Sequence, residues 1–148
     1  MENEKTKRIV VVDDDAVYAG MLKMRLELEG YRVDALTDAV AGFERVRQAK
    51  PDLVVLDLRL PEAVPFIEGD ESRLDRRCGH KICRMIKFDQ NLKHIPVLIL
   101  TCSDSPDDIG LATRAGANAF IKKTSGTAAL VSVIREMTGR QKRAFVAV

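Results

Sequence analysis

Short apolar runs and longer stretches of helical spacing alternate along this chain. The runs are Arg8–Val12, Leu53–Leu56, Pro96–Thr101 and Ala119–Ile121, rich in Val, Ile and Leu, joined by a short, more polar segment at Tyr31–Leu36. Each is too short for a typical globular helix, so each is predicted as a strand, buried at Arg8–Val12, Leu53–Leu56 and Pro96–Thr101. Between and after them apolar positions recur every three or four residues. A helix is predicted over Ala16–Glu29, with Met21, Leu22, Met24, Leu26 and Leu28 as its apolar side and Gly30 as its stop. A second starts at an Asp38 cap and runs to about Lys50, with Phe43 and Val46 inward. A third covers Gly79–Asp89, with Ile82, Met85 and Ile86 on one face. The fourth opens on a Ser105 cap with Pro106 and acids in its first turn, and ends at Gly116. The last spans about Thr127–Thr138 and closes at Gly139. Five strand-then-helix repeats predict an α/β fold, a doubly wound five-stranded parallel sheet with five helices.

Composition narrows the class. The chain has 148 residues, 46% hydrophobic and 31% charged, which suits one soluble domain. A net charge of +2 gives no case for nucleic acid or for a membrane surface. Met1–Arg8 is polar and the apolar run behind it is very short, so neither a signal peptide nor a span is expected. Cys78, Cys83 and Cys102 are odd in number and unframed, as reduced cytoplasmic thiols would be. After Gly139 come a basic stretch Arg140–Arg143 and an apolar Ala144–Val148, so no DNA-binding module is expected there; this tail, 139–148, is expected to be a frayed end.

The chemistry gathers at the carboxyl ends of the predicted strands, where open α/β sheets bind ligands. The first strand runs into Asp13-Asp14-Asp15, of which Asp15 has a structural role as a helix N-cap. The third, between Pro51 and Pro61, ends at Asp57; the fourth ends at Thr101 and the fifth at Lys122-Lys123. Asp13, Asp14 and Asp57 would form an all-oxygen, negative pocket suited to a hard divalent cation such as Mg²⁺. A carboxylate can be a nucleophile toward phosphorus, giving an aspartyl-phosphate. Lys123 could then pair with the phosphoryl group and Thr101 could donate a hydrogen bond to it.

Val-Val-Asp-Asp-Asp at 11–15, Pro-Asp-Leu-Val-Val-Leu-Asp-Leu-Arg-Leu-Pro at 51–61, Ile-Pro-Val-Leu-Ile-Leu-Thr at 95–101 and Gly-Ala-Asn-Ala-Phe-Ile-Lys-Lys at 116–123 together resemble the receiver domain of two-component response regulators, the CheY-like fold. The resemblance covers about 8–138 and implies a single receiver domain over 1–148, phosphorylated on Asp57 by the phosphohistidine of a sensor histidine kinase or histidine phosphotransfer protein. It implies Mg²⁺ bound directly by Asp14, Asp57 and the backbone carbonyl of Arg59, and by Asp13 through water. Thr101 and Lys123 would hold the phosphoryl oxygens, and Phe120 stands at the aromatic switch position. Lys123 matches rather than Lys122, because it lies seven residues after the glycine of the Gly-Ala pair. Such a protein is a phosphoacceptor, not an enzyme with an external substrate. Standing alone it would signal to a downstream protein target by changed protein–protein contacts, and the resemblance allows a homodimer.

The chain departs from that pattern in three places. Pro61 is followed by Glu62–Cys78 before Gly79, an insertion of about fourteen residues at little entropic cost. Its Val64–Ile67 knot and its charges suggest a lid or docking loop beside Asp57. Thr124 replaces a proline that often follows the lysine, so a trans peptide is expected. Arg59 is a cation beside the acids, able to shield Asp57 or pair with a neighbouring acid. The competing readings are a degenerate receiver that binds partners without phosphorylation and, further off, a hydrolase. Cys78, His80 and Cys83 lack zinc spacing and a fourth ligand, and His94 reads as a solvated loop residue.

Overall fold

The computed structural model describes residues 5–60, 79–102, 105–139 and, for the backbone alone, 146–147. Strands β1 (Arg8–Val12), β2 (Arg32–Leu36), β3 (Leu53–Asp57), β4 (Val97–Thr101) and β5 (Ala119–Lys122) alternate with helices α1 (Ala16–Leu28), α2 (Ala39–Ala49), α3 (Gly79–Phe88), α4 (Pro106–Arg114) and α5 (Thr127–Thr138). The five strands are parallel in the order β2-β1-β3-β4-β5, the doubly wound sheet expected from the repeats. The order reverses between β1 and β3, so the crevice at their carboxyl ends is where a ligand would sit. A sixth strand, β6 (Val146–Ala147), pairs parallel with β5. This corrects the expectation of a frayed tail: two residues of its apolar end prolong the sheet.

Alternation along the strands builds two cores, because successive side chains point to opposite faces. Val10, Val12, Val54, Leu56, Val97, Ile99 and Phe120 share one cluster with Ala39 and Val46 of α2 and with Ile82 and Ile86 of α3. Ile9, Val11, Leu53, Val55, Leu98, Leu100 and Ile121 share the other with Leu22 and Leu26 of α1 and with Leu130 and Ile134 of α5. Because both faces are covered, β1, β3, β4 and β5 are apolar runs rather than alternating ones, while the edge strand β2 carries Arg32 and Asp34.

The helix ends follow the capping chemistry read from the chain. Asp15 accepts from the Tyr18 amide at 3.1 Å, Asp38 from that of Ala41 at 2.9 Å and Ser105 from that of Asp108 at 3.2 Å. Gly30 and Gly116 follow α1 and α4 at φ +98° and +90°, a region glycine enters without steric cost. Two helix faces need correction. In α1 only Ala19, Leu22 and Leu26 are buried, while Val17, Met21, Met24 and Leu28 form a second, exposed stripe. Residues four apart share a face and residues two apart do not, so Met24 cannot join Leu22 and Leu26. Met85 of α3 is likewise exposed beside the buried Ile82 and Ile86. The insertion Glu62–Cys78 and the basic stretch Arg140–Arg143 lie outside the described residues, and so do the readings made on them.

Candidate functional site

Parallel pairing brings the acids together. Val12 pairs opposite Leu56, so the residues that follow β1 emerge beside Asp57 at the end of β3. One oxygen from each of Asp13, Asp14 and Asp57 lies within 4.8 Å of the other two; Asp13 and Asp57 are buried and Asp14 is exposed. Each buried acid is oriented by the backbone two residues on. The Asp15 amide donates to Asp13 Oδ1 at 2.9 Å, and the Arg59 amide donates to Asp57 Oδ1 at 2.9 Å.

Lys123, just past β5, crosses the crevice to both. Its ammonium lies 2.7 Å from Asp13 Oδ2 and 3.3 Å from Asp57 Oδ2. Burial alone would lower the Lys123 pKa, but the contact with Asp13 and the charges of both carboxylates outweigh it, so the value is raised and the ammonium stays charged. Burial pushes the Asp57 carboxyl up to about 6. The Arg59 amide works against that rise, the Asp13 charge adds to it and Lys123 opposes it. Asp13 Oδ2 is buried and, among the described residues, has no aligned hydrogen-bond donor besides this ion pair. Two buried carboxylates sharing one ammonium, with a third at the mouth, form a donor set of hard oxygens that fits a small divalent cation.

The other residues singled out in the chain fall around this centre. Leu100 pairs opposite Asp57, so Thr101 follows one residue beyond it; Thr101 is fully buried. Phe120 pairs with Ile99 and is packed inward among α3- and α4-facing residues. All described peptide bonds are trans, including the one before Thr124. Of the two roles open to the Arg59 side chain, the structure shows pairing with another acid. Its guanidinium lies 3.7 Å from Asp108 Oδ2, on the first turn of α4. The glycine that ends the insertion also has a tight role. Gly79 donates its amide to Leu58 O at 3.0 Å, and a Cβ there would overlap the Asp57 carbonyl oxygen.

Two site neighbours were not found from the chain. Tyr18 places its ring under the Lys123 ammonium, 4.4 Å from the centroid. The signal was its position one turn into α1, three residues after the capping Asp15. In the chain Asp108 is one of the acids of a helix start, yet its side chain is buried. Elsewhere, Cys83 is buried with its thiol toward Ala115 O and pushed up to about 12 by burial, against the pull of Lys87, which disfavours a zinc role. His94 is exposed, as expected. A cleft of about 480 Å³ lined by Lys5, Lys7, Glu29 and Arg135 lies at the opposite end of the sheet, away from this chemistry. No helix among the described residues is long and apolar enough to cross a membrane.

Comparison with known proteins agrees with this geometry. The family described as response regulator receiver domain matches residues 9–135. The DNA-binding response regulator MtrA of Mycolicibacterium paratuberculosis is 33% identical over 129 residues, covering 87% of this chain and 50% of that protein. The response regulator MprA of Mycobacterium leprae is 31% identical, over 91% of this chain and 52% of its own length. The chain thus spans about half the length of the curated relatives it matches. Among solved structures, a LuxR-family two-component response regulator from Aurantimonas superposes with a TM-score of 0.76 at 28% identity, covering 96% of this chain and 90% of that one. The BeF3-activated receiver domain of Klebsiella pneumoniae RstA gives 0.71 at 26% identity, over 90% and 99%.

Proposed function

This chain belongs to the response regulator receiver family, and from that premise we propose that Asp57 accepts a phosphoryl group from the phosphohistidine of a sensor histidine kinase or histidine phosphotransfer protein. The observation that carries the reading is the arrangement of Asp57: buried, beside Asp13 and Asp14, and bridged by Lys123. An Asp57 oxygen attacks phosphorus, an O–P bond forms as the P–N bond breaks, and the electron pair returns to the imidazole. Mg²⁺, held by Asp13, Asp14, Asp57 and the Arg59 carbonyl, would supply neutralising charge for the incoming group. Lys123 leaves Asp57 Oδ2 for a phosphoryl oxygen, and Thr101 donates to another. Attack of water on phosphorus later restores the carboxylate and releases phosphate.

The output proposed for this receiver, with its core at 8–138, is a change of protein–protein contacts with a downstream target. Drawing Thr101 toward the phosphoryl group alters the packing of Phe120 and the α4–β5–α5 side. In this proposal the receiver acts as a stand-alone switch. The relatives described as DNA-binding carry as much chain again, and in a longer protein of that type the same change would act on an attached partner domain. Every reacting group is present, which favours this reading over a receiver that never takes phosphate. The test is incubation with Mg²⁺ and acetyl phosphate, following phosphate incorporation in the wild type and in Asp14→Ala. Incorporation that needs Mg²⁺ and is lost in Asp14→Ala supports the reading; incorporation indifferent to both overturns it.

A further inference from the structure

We infer that Tyr18 is a positioning residue, whose ring face keeps the Lys123 ammonium in the pocket when a divalent cation takes over the charges of Asp13 and Asp57. The inference rests on the phosphoacceptor reading above and adds to it a residue that no motif of the chain marks. Three groups hold the ammonium: Asp13 Oδ2 at 2.7 Å, Asp57 Oδ2 at 3.3 Å and the Tyr18 ring at 4.4 Å from its centroid.

The first two belong to carboxylates of the acidic set that a hard cation would use. Metal and lysine therefore compete for them. A lysine stem is flexible, and a loosely held ammonium regains rotamer freedom by turning to solvent. The ring attracts the cation through its quadrupole and offers nothing a hard divalent ion prefers over carboxylate oxygen. It is the anchor that survives metal loading.

The ring is well placed for this. The Tyr18 amide donates to Asp15 Oδ1, so the residue is fixed to the same acidic turn that carries Asp13 and Asp14. The side chain is half-buried against the core formed with α5. Burial raises the phenol's pKa, Lys123 opposes the rise, and Asp13, Cys102 and Asp57 add to it. The Lys123 side chain keeps only 14% of its surface exposed.

The test uses the whole chain as wild type, Tyr18→Phe, which keeps the ring, and Tyr18→Leu, which keeps apolar bulk without it. In proton NMR the Lys123 ε-methylene resonances of the wild type should be shifted upfield by the ring, and the shift should persist at saturating Mg²⁺. Its loss on adding Mg²⁺ to the wild type would overturn the inference, and this arm needs no variant to fold. At saturating Mg²⁺, phosphorylation by acetyl phosphate should be about fivefold slower in Tyr18→Leu, equivalent to ~1 kcal/mol, and restored to within about twofold in Tyr18→Phe. In a Lys123→Ala background Tyr18→Leu should slow it no further. An unchanged rate in Tyr18→Leu, or an equal loss without Lys123, sinks the role. If the wild type takes no phosphoryl group at all, the phosphoacceptor reading itself has failed; the NMR arm still decides the Tyr18–Lys123 contact.

Discussion

Replacing Asp57 by Asn should remove the chemistry yet make the protein more stable at neutral pH. Asp57 is 5% exposed, and burial lifts its carboxyl from the ordinary 3.8 to about 6. A carboxyl whose folded pKa is raised contributes stability that is fully present below the unfolded value and is lost as pH rises through about 6. A gap of about two units, at ~1.36 kcal/mol each, puts the cost of the ionised form near 3 kcal/mol. That figure already includes the attraction of Lys123, which in the variant keeps its Asp13 partner at 2.7 Å. The gain for Asp57→Asn is then up to about 3 kcal/mol at about pH 7.5, shrinking toward zero near pH 4. Urea unfolding with a chelator present measures it at both ends of that range. Mg²⁺ should then stabilise the wild type and narrow the difference. A variant that is no more stable at about pH 7.5, or whose advantage does not change with pH, would refute the assignment of Asp57 as a strained, buried charge.

Three further outcomes are expected. Gly79→Ala should cost about 2 kcal/mol in urea unfolding, because its Cβ would press on the Asp57 carbonyl and come within 2.8 Å of Leu58 Cα, both backbone. Thr101→Ala should still accept phosphate from acetyl phosphate but lose the phosphorylation-dependent change of amide exchange in α4 and β5; a wild-type response would show that Thr101 does not couple the two. At about pH 8 iodoacetamide should label exposed Cys102 and spare Cys83, as read by peptide mass mapping, because burial holds the Cys83 thiol at about 12.

β1, β3, β4 and β5 and their ends were legible because each is an apolar run that stops at a polar residue with nothing structural to do. Asp13, Asp57, Thr101 and Lys123 all follow or end such runs, and parallel pairing carries them to one edge of the sheet. The caps at Asp15, Asp38 and Ser105 were legible for the same local reason. Packing across elements was less so. In α1, two apolar stripes share one helix, and composition cannot say that Leu22 and Leu26 face the sheet while Met24 and Leu28 face out. Tyr18 under Lys123 and Asp108 beside Arg59 join residues far apart in the chain, so no local pattern announces them. Arg59 was recognised as a cation near the acids. Which acid it met depended on where α4 begins in space.

The central claim is that Asp57 itself carries the phosphoryl group. Treating the protein with acetyl phosphate and Mg²⁺ should add about 80 Da, one phosphoryl group. Borohydride reduction of the acyl phosphate should then convert the acceptor to homoserine, which peptide sequencing by mass spectrometry locates. Homoserine at position 57, with no mass gain in Asp57→Asn, is the predicted result. A phosphoryl group that still forms in Asp57→Asn, or homoserine found at position 13 or 14 in the wild type, would contradict the account.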